Sequence, residues 1–206
     1  MSKLRAKKIK LLLFDVDGVL TDGKLFIFPA PAGATGGPRK LPTTETDQGG
    51  FGLISDSLIE AKGFHAHDGT AISLARLAGI KTGLITKRIS ETVALRARDL
   101  KLEYVRQGTH DKATALEEVL REEGLQGSQA AFVGDDVIDL PAMRRCGLAV
   151  AVANARVEVK KEAHYVTPHA GGDGALRDAV EYILKAQGKW KDVVARYIGE
   201  RSPRNS

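Results

Sequence analysis

The chain has a single cysteine in 206 residues, Cys146. One thiol cannot close an intramolecular disulfide, and no Cys or His spacing matches a structural zinc site. Both absences fit a reducing compartment, and a cytoplasmic location is expected. Long apolar runs are also missing. The basic start, with Lys3, Arg5, Lys7, Lys8 and Lys10, is followed by apolar residues 11–14, and that run stops at Asp15. A secretory core needs about 7–15 apolar residues and a membrane span about 18, so neither is expected. The formal net charge is +5, concentrated near the two ends. No zinc-finger, RNA-recognition or helix-turn-helix signature accompanies it, so charge alone does not argue for a nucleic-acid partner. A basic field equally suits attraction of small anionic substrates.

What the sequence does have is a repeated alternation. Short apolar runs at 9–14, 81–86, 104–107, 130–133 and 148–152 read as strands. Between them, 70–78, 91–100 and 112–123 have helical composition, and a last helix is expected over 175–187. In the third of these, Ala113, Leu116, Val119 and Leu120 recur on one face, with Asp111 placed to cap the start and Gly124 the end. Strands alternating with helices predict an α/β fold, a doubly wound parallel sheet covered on both faces. Ligands in such sheets bind beyond the carboxyl ends of the strands. One stretch breaks the alternation. Over residues 23–64 no crossover helix is legible; 24–28 and 60–64 are expected to pair as a β-hairpin. Residues 29–50, rich in Pro, Gly and Thr, read as a long mobile tip. The expected organisation is a single domain over 1–188 with this hairpin insertion, and a C-terminal tail over 189–206 that either docks or stays partly disordered.

The chemistry-bearing residues fall where the sheet predicts a site. After the first strand stands Asp15-Val16-Asp17-Gly18, and two aspartates two apart on an extended segment point the same way. Close carboxylates repel one another and favour a cation between them; oxygen ligands favour Mg²⁺. After the strand at 130–133 comes Gly134-Asp135-Asp136-Val137-Ile138-Asp139, three more acids at a strand end. Between these two lie Thr86, closing the strand at 81–86, and Lys112, opening a helix. A hydroxyl and an ammonium there could bind phosphoryl oxygens.

As a set, Asp15-x-Asp17, Thr86, Lys112 and Gly134-Asp135-Asp136-x-x-Asp139 resemble the four motifs of the haloacid dehalogenase superfamily. Asp22-Gly23, His67-Asp68-Gly69, Tyr165-Val166-Thr167 and Gly171-Gly172-x-Gly174 resemble its capless branch, which contains the 3-deoxy-D-manno-octulosonate 8-phosphate (KDO 8-phosphate) phosphatases. The resemblance implies a Mg²⁺-dependent phosphomonoesterase acting on a small phosphorylated sugar acid, with no cap domain. It implies Asp15 as nucleophile and Asp17 as acid and base. Asp15, Asp17 through its carbonyl, and Asp135 would hold the metal, with Asp136 and Asp139 behind them. Thr86, Lys112, Arg88, His67, Asp68 and Gly69 would contact substrate, and a homotetramer built on the hairpin is expected.

The chain departs from the branch at Lys87, where Gly is usual, at His67, where Arg is common, and at Asp173, often a cation. These departures leave the same chemistry on another nonulosonate or sugar phosphate as an alternative. A receiver-like signalling domain and a non-catalytic domain are the remaining readings. The first conflicts with an acid two residues beyond Asp15, the second with both aspartates being present.

Overall fold

The computed structural model describes residues 2–30, 51–52 and 58–201. The strands are β1 (Leu11–Phe14), β2 (Phe26–Pro29), β3 (Phe51–Gly52), β4 (Leu58–Ala61), β5 (Lys81–Ile85), β6 (Arg88–Ile89), β7 (Tyr104–Arg106), β8 (Ala130–Gly134), β9 (Leu148–Ala151) and β10 (Tyr165–Val166). The helices are α1 (Ser2–Ala6), α2 (Ala66–Leu77), α3 (Glu91–Leu100), α4 (Lys112–Glu123), α5 (Leu140–Met143), α6 (Val157–Glu162), α7 (Ala175–Ala186) and α8 (Trp190–Arg201).

Six of the strands form one parallel sheet in the order β10-β9-β8-β1-β5-β7. β1 is central because it is apolar at every position. Leu11, Leu12, Leu13 and Phe14 are all fully buried, as a strand covered on both faces requires. Burial of each such side chain contributes about 1.5–3 kcal/mol. The order reverses at β1, whose neighbours are β8 and β5. Phe14 pairs with Val133 on one side and Leu84 on the other. The acids following β1 and β8, and Thr86 following β5, therefore emerge side by side at one edge. No separate cap domain is evident among the described residues.

The expected strands and helices are present with small shifts. α3 and α4 begin and end where composition places them. Ser90 caps α3 through Val93 N, and the Asp111 side chain accepts from Ala113 N and Thr114 N of α4 at 3.0 and 3.2 Å. Gly124 closes α4 at φ 63°, a left-handed residue that glycine adopts without penalty. α2 starts four residues before the expected position 70. Gly69 and His67 argue locally against a helix, but tertiary packing against α7 and α3 overrides that preference.

The hairpin forms between β2 and β4, antiparallel, with Phe26 opposite Ala61 and Pro29 opposite Leu58. Its returning strand lies two to three residues earlier than expected. The ladder stops at Ala61, and the next residue, Lys62, turns its side chain fully inward. Phe26, Phe28 and Ile59 on one side of this ladder, and Ile27 on the other, remain 45–49% exposed among the described residues. β3 pairs in parallel with β6, a pairing with no counterpart in the sequence reading. Of the expected mobile tip, residues 31–50 lie outside the described residues.

The tail over 189–201 docks rather than dangling. Trp190 lies beneath the Arg177 guanidinium (5.0 Å) and Lys185 ammonium (5.4 Å), and Val193 is buried. Lys189 and Arg196 donate to the Ala78 and Leu77 carbonyls, each at 3.1 Å. Those carbonyls end α2, where cations are favoured. No helix among the described residues is long and apolar enough to cross a membrane.

Candidate active site

Asp15 leaves β1 with its N–H on the Val133 carbonyl at 3.0 Å. Its carboxylate accepts from Val16 N at 2.7 Å and meets the Lys112 ammonium at 2.7 Å. Lys112, first residue of α4, also bonds Asp139 at 2.7 Å. All three groups are buried. Burial alone would lower the Lys112 pKa, but the two carboxylates outweigh it and the pKa is raised. Burial pushes Asp15 up to about 6, with Lys112 opposing and Asp139 adding to the rise.

Asp139 fills both of its oxygens. Oδ1 takes Lys112, and Oδ2 accepts Asp135 N and Asp136 N at 2.9 and 3.3 Å. Gly134 makes room for this, because a Cβ there would lie 2.5 Å from the Asp139 Cβ. Asp135, one residue past β8, extends toward Asp15. Burial first, then the Asp139 and Asp15 charges, raise its carboxyl to about 7, and its buried Oδ1 has no hydrogen-bond partner among the described residues. Gly18 stands at φ +94°, and a Cβ on it would reach within 2.2 Å of Asp135 Oδ2. The carboxylate thus occupies space that only glycine leaves open.

Donor oxygens of Asp15, Asp135 and Asp139 lie within 4.8 Å of one another. Three carboxylates face one ammonium, which leaves two negative charges uncompensated. A divalent cation with oxygen preference fits that deficit and the unpartnered Asp135 oxygen. Since Asp139 is fully engaged, Asp15 and Asp135 are the side chains with lone pairs to offer.

The remaining expected residues divide. Thr86 is buried at the end of β5, with its backbone on Arg106 O and Thr109 N at 2.9 and 3.1 Å. Arg88 bonds Glu60 at 2.9 Å and lies 3.7 Å from Asp17. Asp136 is exposed and caps the turn at Val137 N. His67 is exposed and stacks edge-on with His65 at 4.8 Å. Asp68 is fully buried, and its two oxygens accept Arg177 N and Gly174 N at 2.9 and 3.3 Å, capping α7 from a distance. Gly69 sits against Arg96 and Leu100 of α3, so neither joins the carboxylate cluster. Lys87 needs no left-handed backbone. Among the described residues only Lys101 is a non-glycine at positive φ, so losing the usual glycine at position 87 introduces no such strain. Asp173 is exposed, 3.8 Å from His65 Nε2.

Two residues went unread in the sequence. Glu60 and Lys62 reach Asp17 and Arg88 from the returning strand of the hairpin. Charged residues near the edge of a short hairpin read as solvent-facing, so no local signal identified them.

A doubly wound sheet with paired aspartates after the central strand, a buried lysine and a second acidic strand end is the frame of a phosphoryl-transferring hydrolase. The model of the haloacid dehalogenase-like hydrolase family matches residues 82–177. Among curated relatives, the 3-deoxy-D-manno-octulosonate 8-phosphate phosphatase KdsC of Escherichia coli K12 is 35% identical over 194 residues, 94% of this chain and 89% of that protein. Among solved structures, a probable YrbI family phosphatase from Pseudomonas syringae superposes with TM-score 0.78 at 37% identity, covering 95% of this chain and 96% of the other. The 3-deoxy-D-manno-octulosonate 8-phosphate phosphatase of Moraxella catarrhalis, solved with magnesium, phosphate and KDO, gives TM-score 0.78 at 32% identity and covers 95% and 97%. The chain belongs to the KdsC family of haloacid dehalogenase-like hydrolases.

Proposed function

We propose that this chain hydrolyses KDO 8-phosphate to KDO and inorganic phosphate, with Mg²⁺, through an aspartyl-phosphate on Asp15. The observation that carries this is the Asp15 carboxylate, held by Lys112 at the mouth of the central strand beside the unpartnered Asp135 oxygen.

An Asp15 oxygen attacks phosphorus, and the bond from phosphorus to the sugar oxygen breaks. Asp17 gives its proton to the departing alkoxide. Asp17 then takes a proton from water, whose oxygen attacks phosphorus and breaks the bond to Asp15. Phosphate leaves and Asp15 is restored. Lys112 keeps Asp15 oriented, and Thr86 is placed to donate to a phosphoryl oxygen from the adjoining strand end. Asp15, Asp135 and the Asp17 carbonyl would hold Mg²⁺, which supplies charge to offset repulsion between carboxylate and phosphate. Arg88 and the exposed His67 are the proposed sugar-side contacts.

The exposed apolar side chains of the hairpin, Phe26, Phe28 and Ile59 on one face and Ile27 on the other, support a homo-oligomer, a tetramer in this reading, with the hairpins packed on neighbouring copies. A cytoplasmic location accords with the one buried thiol.

One second reading has a specific motive. Asp173 is 72% exposed where the branch often has a cation, and an acid there disfavours a substrate carboxylate. The same chemistry on another sugar phosphate would suit it. Phosphate release from KDO 8-phosphate and a panel of sugar phosphates, with Mg²⁺ and with chelator, separates the two. Metal-dependent preference for KDO 8-phosphate supports the proposal. Preference for a different sugar phosphate transfers the mechanism to that substrate, and no release from any of them refutes it.

A further inference from the structure

The two aspartates of the first motif are tethered to different cations. Asp15 belongs to Lys112, whereas Asp17 turns to Lys62, six residues before Asp68 and just past β4. The Lys62 side chain is fully buried, yet it carries an ammonium that hydrogen-bonds Asp17 Oδ1 and faces Glu60 Oε1 at 3.9 Å. Asp17 Oδ2 faces Arg88 Nε at 3.7 Å. Arg88 Nη2 returns to Glu60 Oε2 at 2.9 Å, and Ser90 Oγ donates to Glu60 Oε1 at 2.7 Å. Lys62, Asp17, Arg88 and Glu60 therefore form a closed ring of alternating charge.

Stability does not account for this ring. A buried ammonium is costly to desolvate, and an apolar side chain of similar volume would serve packing as well or better. Fixed geometry is what such a network offers in exchange. Asp17 and Arg88 keep part of their side chains exposed (23% and 20%), whereas Lys62 is fully buried and Glu60 nearly so. Two ring members come from the hairpin and one from β6, so the insertion reaches directly into the first motif.

We propose that Lys62 is a positioning residue, which with Glu60 and Arg88 fixes the Asp17 carboxyl in the orientation from which it protonates the leaving-group oxygen. The inference rests on the reading of Asp17 as the proton-transfer group. Lys62 needs to touch neither phosphorus nor the metal in this role. It acts through Asp17, and the hairpin thereby sets the geometry of proton transfer.

The test uses leaving groups that differ in their need for a proton. A sugar phosphate leaves as an alkoxide and needs one, whereas p-nitrophenyl phosphate leaves as a stable phenolate and does not. Single-turnover release of each leaving group is measured for the wild type, Asp17→Asn, Lys62→Met, Lys62→Arg and Glu60→Gln. Asp17→Asn should lower the sugar-phosphate rate far more than the aryl rate; equal loss would refute the role of Asp17 itself. With that role in place, Lys62→Met should lower the ratio of sugar-phosphate to aryl rate at least tenfold. Lys62→Arg should recover part of the ratio, and Glu60→Gln should lower it more mildly. A crystal structure of Lys62→Met should show the Asp17 side chain rotated from its place. Unchanged ratios in Lys62→Met, or in Glu60→Gln should the first fail to fold, would overturn the proposal. So would an Asp17 side chain that stays in position without Lys62.

Discussion

The Asp135 carboxylate occupies the volume that a Cβ on Gly18 would fill, with its Oδ2 only 2.2 Å from that position. Gly18 also holds φ +94°, so a side chain there meets both backbone strain and a carboxylate. Replacement by alanine should displace Asp135 from Asp15. Gly18→Ala should lower kcat at least about a hundredfold and weaken Mg²⁺ binding, while the melting temperature falls by only a few degrees. Titrating activity against Mg²⁺ checks this. An unchanged metal requirement would separate Gly18 from the placement of Asp135.

Asp15→Asn keeps shape but removes the nucleophilic charge. Turnover should drop by at least about ten-thousandfold, with far-ultraviolet circular dichroism and assembly preserved. The same variant should form no hydroxylamine-sensitive phosphoenzyme on rapid acid quenching. Activity within tenfold of wild type would assign the nucleophile elsewhere.

Asp68 caps α7 with two oxygens on two separate N–H groups. Asn offers a single acceptor and Ala none. Asp68→Ala should destabilise by about 1–3 kcal/mol and Asp68→Asn by less, read from denaturant midpoints. Wild-type stability in both variants would show that the cap is dispensable.

The exposed apolar hairpin predicts self-association. Phe28→Glu on that face should shift the particle to a smaller mass in sedimentation, with the fold retained. If the wild type is already a monomer, the proposed oligomer fails.

Burial pushes the Cys146 thiol up to about 12. It stays protonated in the folded chain at neutral pH, so it should react with a disulfide reagent only as fast as the protein unfolds. Linkage gives the sign of the pH effect. The unfolded thiol ionises near its ordinary value of 9.0 while the folded one does not, so its contribution is intact below that pH. Stability should decline between roughly pH 9 and 12 by more in wild type than in Cys146→Ala. Parallel pH curves for the two proteins would contradict the burial.

The sequence by itself determined the parallel sheet and the identity of its site. Short uninterrupted apolar runs such as Leu11–Phe14, alternating with helical segments, read as buried strands, and that alternation sends their carboxyl ends to one edge. Asp15, Lys112 and Asp135 were legible for that reason: each stands immediately after a strand or opens a helix. Tertiary structure alone decided what depends on contacts distant along the chain. Asp68 reads as a loop residue until α7, more than a hundred residues on, places two N–H groups against it. Glu60 and Lys62 read as solvated until the β2–β4 register turns them onto Asp17 and Arg88. Local pattern records periodicity and capping, which act within a turn or a strand. Which buried charge meets which partner depends on where separate segments cross, and that is settled only when the chain closes on itself.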